Sequence, residues 1–214
     1  MNADNEEKIE VTSSDSTSLE IHEADYDLVM ARFEEIEPHY SRTSRLLADL
    51  DCENVAMSED MYMRLTMFLD ERKVPYRLID HEPEGRTEIV SALRGNRLEQ
   101  AAKCIILMVK VGKKVTRYVL AVVPGDARVD MQAVKALLQG TYVAFASTDI
   151  AERLAGSVTG TVLPFSFNPD LELIVHPALL ENDEIYFNAA RLDRSMVLKT
   201  SDYVTVAKPR VAII

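Results

Sequence analysis

The hydrophobic pattern divides the chain into a polar N-terminal stretch and a longer region in which apolar runs alternate with polar turns. Residues 1–23 hold too few apolar side chains to offset the entropy of ordering them, so we expect a disordered tail. From Asp25 to Pro38 apolar residues recur at helical spacing, which predicts a short amphipathic helix. We therefore predict an acidic N-terminal extension over residues 1–55 and a folded domain over residues 56–214.

The strongest signal in the domain is a pair of long apolar strands, Lys103–Val111 and Val115–Val123, joined across a Gly-Lys-Lys turn. Both strands are almost continuously apolar, which indicates burial on both faces and helices covering the sheet. Shorter apolar runs predict five more strands: Tyr76–Asp80, Tyr142–Phe145, Leu171–Val175, Glu184–Phe187 and Met196–Lys199.

Helices are predicted where apolar stripes follow capping residues. The first covers residues 60–73, begins after Ser58 and ends before Pro75. Several strands are joined by short connections, so the alternation favours an α/β (α+β) fold with a mixed, largely antiparallel sheet covered by helices. The other predicted helices are Thr87–Leu93, Asp130–Leu138, Ser147–Leu154 and Ser201–Ala207.

The charge distribution separates the extension from the domain. The chain has a net charge of -11, which taken whole argues against a nucleic-acid partner because phosphate attraction needs positive charge. Residues 1–60, however, hold 17 acidic and 4 basic side chains, and residues 61–214 hold 18 and 20. The acidity therefore belongs to the extension, and the domain itself is close to neutral.

The chain lacks the sequence signals of secretion, membrane insertion and metal binding. Cys52 and Cys104 show no C-x-x-C spacing, and the polar start of the chain lacks the apolar core of a signal peptide. No apolar run approaches the roughly 20 residues of a membrane span. The four histidines have no ligand-like spacing, so we expect no metal or other cofactor. These features predict a cytoplasmic protein without membrane contact.

Familiar catalytic signatures are also absent. The sequence contains no G-x-S-x-G elbow, P-loop, G-x-G-x-x-G or H-E-x-x-H motif, which excludes the standard hydrolase, nucleotide-binding and zinc-protease interpretations. Cys104 lies inside an apolar strand where its thiol stays protonated, which predicts a core residue and not a nucleophile.

Three segments remain candidates for a functional site, and each also has an ordinary structural explanation. Lys103 opens a buried strand, where a cation can receive a phosphate or carboxylate, or simply be solvated. The loop over residues 156–164 holds two glycines and a proline at four-residue spacing, which permits close backbone approach to a ligand or forms an irregular loop. Residues 187–194 follow an apolar strand with polar side chains that line a pocket or form an exposed turn.

The order and spacing of these segments resemble the YbaK-like aminoacyl-tRNA deacylases, relatives of the editing insertion domain of bacterial prolyl-tRNA synthetase. The resemblance runs from about Met61 to Val211 and rests on HEPEGRTEIVSALRG, AAKCIIL, PFSFNP, the G-x-x-x-G-x-x-x-P loop and FNAARLDRSMVLKTSDYV. These strings look closest to the YeaK-type branch, which includes free-standing editors of Ser- and Thr-charged tRNA. The resemblance implies the YbaK/aminoacyl-tRNA synthetase-associated domain fold, and as partner the acceptor end of aminoacyl-tRNA, not DNA.

The activity implied by the resemblance is hydrolysis of the ester that joins a wrong amino acid to the terminal ribose of tRNA. Such an ester is labile, so a site need only position it, hold a water and stabilise the developing oxyanion. The resemblance implies that Lys103 anchors the acceptor end through the terminal phosphate or ribose. It also implies that backbone N–H groups between Gly156 and Gly160 hold the ester carbonyl or the water, and that a ribose hydroxyl of the substrate assists.

Recognition of a small polar amino acid requires hydrogen bonds, because a hydroxyl is only weakly distinguished in an apolar pocket. Alanine-editing relatives tend to have His where Asn188 stands, which favours Ser or Thr as the substrate. His81 matches a family position that shapes the pocket wall. The residues predicted to bind the substrate are His81, Ser157, Thr159, Pro164, Asn188 and Asp193.

Two alternatives to a tRNA deacylase stay open. One is a non-catalytic module that keeps the pocket for a tRNA end or small ligand and is recruited through its acidic extension. The other is a hydrolase of a different small acyl ester or amide. For the extension we expect contact with an aminoacyl-tRNA synthetase or self-association.

Overall fold

The computed structural model describes residues 9–12, 18–21 and 61–214. The chain forms two compact units, Met1–Glu53 and Asn54–Ile214. In the first unit, strands β1 (Ile9–Thr12) and β2 (Ser18–Ile21) pair antiparallel. These two strands were not predicted from the sequence, although their residues alternate apolar and polar positions with the period of a strand. The amphipathic helix expected over residues 25–38 lies outside the described residues.

The second unit alternates strands and helices. Helix α1, described over residues 61–71, comes first, and the predicted elements of the domain follow within two residues of their predicted bounds. The strands are β3 (Tyr76–Asp80), β4 (Ala102–Val111), β5 (Val115–Pro124), β6 (Tyr142–Phe145), β7 (Leu171–Val175), β8 (Glu184–Asn188), β9 (Arg194–Lys199) and β10 (Arg210–Val211). The helices are α2 (Thr87–Arg94), α3 (Met131–Leu137), α4 (Thr148–Ala155) and α5 (Thr200–Ala207), with 3₁₀ turns at Leu98–Gln100 and Pro177–Glu181.

The strands of this unit form two sheets. The larger has the order β10-β7-β5-β4-β6, with β7 parallel to both β5 and β10 and the other pairs antiparallel. The smaller, β3-β9-β8, is antiparallel throughout. The prediction of a mixed, largely antiparallel sheet is confirmed. An isolated backbone bridge between Ala101 and Tyr186 joins the two sheets at the start of β4.

The β4–β5 hairpin separates two apolar clusters because successive side chains of a strand point to opposite faces. Ile106 and Leu120 pack in one cluster with Tyr203 of α5, and Leu107 packs in the other with Val134 of α3. The predicted burial of both strand faces is therefore confirmed. Among the described residues, no helix combines the length and apolar character that crossing a membrane requires.

Helix ends fix the loops that border the site. Gly95 and Gly156 end α2 and α4 in the left-handed conformation, and the Asp130 carboxylate accepts two N–H groups at the start of α3, as predicted. Ser147 stands at the N-cap of α4, but its hydroxyl accepts no hydrogen bond from that helix. Ser147 therefore supplies only the extended backbone of a cap.

Candidate active site

A small cavity of about 80 Å³ lies where the two sheets meet. Its walls come from helix α2, the start of β4, the end of β8 and the two loops that contain Gly85 and Gly160. The polar side chains and glycines among its lining residues are Gly85, Thr87, Arg94, Lys103, Cys104, Gly160, Tyr186 and Asn188.

The loops that carry Gly85 and Gly160 touch at the cavity. A Cβ on Gly160 would lie 2.9 Å from the Cα of Gly85, closer than real Cβ atoms approach. Gly160 also has a φ of +89°, which side-chain-bearing residues rarely adopt. Both the conformation and the close contact therefore require glycine at position 160.

Asn188, at the end of β8, ties these loops together. Its Nδ2 donates to the carbonyl oxygens of Glu84, at 2.9 Å, and Gly160, at 3.0 Å. Its Oδ1 accepts the hydroxyl of the fully buried Ser195 at 3.0 Å. Asn188 was predicted to contact the substrate. Its side chain does lie at the cavity, but its amide is already hydrogen-bonded within the protein.

His81 reaches the cavity only through Ser195. Its Nε2 lies 2.7 Å from the Ser195 hydroxyl, and its Nδ1 donates to the Glu82 carbonyl at 2.8 Å. Because the Ser195 hydroxyl also bonds to Asn188, the imidazole supports the side chain that holds the two loops. His81 itself does not line the cavity.

Arg94, the last residue of α2, lines the cavity and was missed by the sequence analysis. Its guanidinium donates to the hydroxyls of Ser91 and Ser195, each at 3.3 Å, and to the Asn96 side chain at 3.1 Å. Burial lowers the pKa of Arg94 to about 10. A signal for it exists: Arg94 follows the buried residues Val90 and Ser91 by one helical turn, so it falls on the inward face of α2.

Lys103 and Cys104 line the cavity from the start of β4, at the end of the strand that is opposite the hairpin turn. The Lys103 ammonium donates to the carbonyl oxygen of Ala127 at 2.9 Å. Burial raises the pKa of the Cys104 thiol, which keeps it protonated. That Cys104 is not a nucleophile stays a prediction, which the burial of its thiol supports.

The loop after α4 contributes less to the cavity than its sequence suggests. The Gly156 N–H donates to the Glu152 carbonyl and so belongs to the helix end. The N–H and hydroxyl of the exposed Thr159 both donate to the Glu152 carboxylate, at 2.8 and 2.9 Å. Neither residue lines the cavity.

Ser157 and Pro164 of the same loop are buried away from the cavity. The Ser157 hydroxyl has no hydrogen-bond partner among the described residues, and the Pro164 carbonyl accepts the Tyr203 hydroxyl at 2.7 Å. Gly160 and Val162 are the residues of this loop that line the cavity. Polarity and spacing alone do not reveal which way a loop residue faces.

Asp193 lies outside the cavity wall. Its carboxylate pairs with the Arg191 guanidinium through two contacts of 2.9 Å, which lower its pKa. Its backbone carbonyl accepts the His81 N–H at 3.0 Å.

Of the nine predicted site residues, the cavity brings together Lys103, Gly160 and Asn188. Those that do not line it are His81, Gly156, Ser157, Thr159, Pro164 and Asp193.

The cavity suits binding and oxyanion stabilisation. Among the described lining residues two are cationic and none is a carboxylate, and the described chain shows no cluster of three or more His, Cys, Asp or Glu that could hold a metal. The Gly160 N–H has no acceptor among the described residues, so it can donate to a developing oxyanion. The cavity therefore offers positive charge and hydrogen-bond donors to a ligand.

Comparison with known proteins places this geometry in a family. Residues 81–206, which include every residue lining the cavity, match the model of the aminoacyl-tRNA editing domain. The Escherichia coli K12 protein named multifunctional Ser/Thr-tRNA deacylase ProXp-y is 39% identical over 149 residues, covering 69% of this chain and 89% of that protein.

Solved structures share the fold. The crystal structure of a hypothetical protein has a TM-score of 0.62 and 22% identity, covering 69% of this chain and 96% of that chain. A candidate trans-editing enzyme for prolyl-tRNA synthetase has a TM-score of 0.59 and 19% identity, covering 71% and 94%. The chain belongs to the aminoacyl-tRNA editing domain family.

Proposed function

We propose that the protein is a free-standing aminoacyl-tRNA deacylase that hydrolyses the ester of mischarged tRNA, with Ser- or Thr-tRNA as its substrate. The observation that carries the proposal is the 39% identity to the Escherichia coli protein named Ser/Thr-tRNA deacylase, across 89% of that protein. The protonated thiol, the unpaired Gly160 N–H and the cationic cavity support it, because they fit a hydrolase that uses water and no protein nucleophile.

In this mechanism water adds to the carbonyl carbon of the ester and places negative charge on the carbonyl oxygen. The N–H of Gly160 donates to that oxygen and stabilises the charge as it develops. The bond to the ribose oxygen then breaks, and the proton given up by the attacking water passes through the neighbouring ribose hydroxyl to the leaving ribose oxygen. The products are the free amino acid and uncharged tRNA.

The side chains around Gly160 position the ester. Lys103 anchors the acceptor end through the terminal phosphate or ribose, while Asn188 holds the carbonyl of Gly160 and so keeps its loop in place. Gly156 contributes indirectly: it ends α4 in the left-handed conformation and so sets the path of the loop that leads to Gly160. Precise positioning of a labile ester supplies most of the required rate acceleration.

The cavity of about 80 Å³ favours a small amino acid. Ser157, Thr159 and Asp193 are turned away from it, so recognition of a substrate hydroxyl falls to a group in the wall. Thr87 is that candidate, because it lines the cavity and its hydroxyl forms no hydrogen bond among the described residues. A made or missing hydrogen bond to the substrate hydroxyl discriminates more strongly than a difference of one methyl group.

The partner of the domain is the acceptor end of the tRNA, and the setting is the cytoplasm, where charged tRNA is used. A near-neutral domain that holds only this end fits an editor that does not read the whole tRNA. The acidic extension contacts an aminoacyl-tRNA synthetase or a second copy of the chain. Deletion of residues 1–55 is expected to change oligomeric state or synthetase binding, and an unchanged protein would contradict this role.

A deacylation panel tests the proposed function. The full chain is incubated with tRNAs charged separately with Ser, Thr, Ala, Cys and Pro, and Lys103→Ala serves as the inactive control. We expect loss of the Ser or Thr ester with the wild type and at least tenfold slower loss with Lys103→Ala. If no charged tRNA is hydrolysed above background, the enzyme proposal falls and a non-catalytic binding module takes its place.

A further inference from the structure

Arg94 is a cation at the cavity without a counter-charge. No carboxylate pairs with it among the described residues, since its three hydrogen bonds go to the neutral side chains of Ser91, Asn96 and Ser195. A guanidinium has five N–H donors, so two of them have no acceptor in the described part of the chain. A half-buried arginine in this state is costly unless an anion joins it.

The surroundings of Arg94 do not supply that anion. The described cavity wall contains no Asp or Glu, and the thiol of Cys104 stays protonated because burial raises its pKa. The other cation in the wall, Lys103, has its ammonium on the carbonyl of Ala127, a residue outside the wall. Lys103 keeps two further N–H donors as a point charge, whereas Arg94 keeps two on a planar guanidinium. Arg94 is therefore the group in the wall whose geometry matches an anion that offers two acceptor oxygens.

The substrate of the proposed function offers one kind of anion. At the aminoacylated end of tRNA the amino acid carries an ammonium group, its carboxyl is esterified, and negative charge resides on the phosphodiester. A planar guanidinium with two free N–H groups matches two phosphate oxygens.

We propose that Arg94 binds the phosphate on the 5′ side of the terminal adenosine, and so sets how far the aminoacyl ester enters the cavity. This inference rests on the proposed function and adds an anchor on helix α2 to the one that Lys103 provides on β4. Two anchors on different elements fix both the position and the direction of the terminal nucleotide. The repulsion between Arg94 and the substrate ammonium also disfavours a reversed orientation of the ester.

Two esters that differ only in this phosphate test the proposal. The full chain is given serine esterified to the ribose of adenosine, or to the ribose of adenosine 5′-monophosphate. We expect the wild type to favour the phosphorylated ester by about ten- to hundredfold in kcat/KM, the worth of a charge-assisted hydrogen bond. Arg94→Gln is expected to reduce this preference to within about threefold, with Arg94→Lys between the two.

The matched control is Arg97→Gln. Arg97 is exposed, lies outside the cavity wall and pairs with Glu99, so its removal changes the net charge equally and leaves the phosphate preference intact. A wild type that cleaves both esters equally well overturns the proposal. A folded Arg94→Gln variant that loses the same factor on both esters also overturns it, because Arg94 then acts only by supporting Ser195.

A binding measurement separates this inference from the proposed function. Calorimetry with non-hydrolysable amide analogues, seryl-amino-adenosine with and without the 5′-phosphate, needs no turnover. At least tenfold tighter binding of the phosphorylated analogue to the wild type, lost in Arg94→Gln, supports the phosphate site even if no charged tRNA is hydrolysed. Equal binding of the two analogues sinks the phosphate site even if the deacylation panel succeeds.

Discussion

The amide nitrogen of Asn188 lies 3.0 Å from the carbonyl oxygen of Gly160, and the same nitrogen also donates to the carbonyl of Glu84. Asn182 repeats this arrangement away from the cavity, donating to the carbonyls of Glu99 and Leu179 at 3.1 Å each. Two asparagines thus join loops in the same way. Only Asn188 does so in the wall of the cavity, which makes the pair a natural comparison.

Asn188→Asp is expected to lower both stability and activity. The carboxylate cannot donate, so the carbonyls of Glu84 and Gly160 lose their partner and face a negative charge. We expect a loss of about 1–3 kcal/mol in the free energy of unfolding and at least a tenfold drop in kcat/KM for deacylation. The checks are denaturant unfolding and hydrolysis of Ser-tRNA.

Asn182→Asp is the matched control for that substitution. It removes the same kind of double hydrogen bond, so it is expected to destabilise the protein while leaving deacylation within about threefold of the wild type. Full activity in a destabilised Asn188→Asp variant would show that the tie to Gly160 does not shape the site.

Gly160→Ala is expected to damage the site through its backbone. A non-glycine residue at a φ of +89° is strained by about 1–3 kcal/mol, and the new methyl group would collide with the backbone of Gly85. We expect at least a tenfold loss of deacylation and a lower melting temperature. Gly112→Ala controls for strain alone, because Gly112 has a φ of +61° and open space around its Cβ position. Equal activity of the two variants would contradict a role for the Gly85–Gly160 contact.

The fold could be predicted from the sequence where the local hydrophobic pattern matches the burial of the residues in the structure. The β4–β5 hairpin was predictable because ten-residue apolar strands flank a glycine turn, and both faces are in fact covered. The β1–β2 pair was missed because composition outweighed a four-residue alternation in each strand. The pairing of β7 with both β5 and β10 joins residues far apart in the chain, which periodicity cannot specify.

Site residues were predictable only where the family resemblance identified them or where the backbone conformation requires glycine. Lys103 and Gly160 were found in this way and do line the cavity. Ser157 and Thr159 were chosen for their polarity, but one is buried without a partner and the other is exposed on Glu152. Arg94 was missed because a basic residue at a helix end normally faces solvent, and its inward direction depends on how α2 packs.

Glu84 links the pH dependence of stability to the loop beside Gly85. Its carboxylate accepts the Arg86 guanidinium and the N–H groups of Arg86 and Gly85, which lowers its pKa to about 2. A folded-state pKa below the unfolded value of about 4.5 contributes stability that is complete above pH 4.5. That contribution is lost as the pH falls from about 4.5 toward 2.

Melting temperatures of wild type and Glu84→Gln across pH 2–8 check this linkage. We expect a constant advantage of the wild type above about pH 5 that shrinks progressively between pH 4.5 and 2. Glu82→Gln serves as the control, because Glu82 is exposed and its carboxylate forms no hydrogen bond among the described residues. An advantage that grows as the pH falls would contradict the assigned direction of the Glu84 shift.

Cys104→Ala tests whether water or the thiol attacks the ester. Cys104 lines the cavity, but burial raises the pKa of its thiol, so a thiolate nucleophile is not available near neutral pH. We expect Cys104→Ala to retain deacylation within about threefold of the wild type, and the wild type to show no burst of product in rapid-quench measurements. The loss of one sulfur from a cavity wall changes packing only slightly, which unfolding measurements on the same variant check. A loss of more than a hundredfold in a variant of wild-type stability would replace the water mechanism with a thioester intermediate on Cys104.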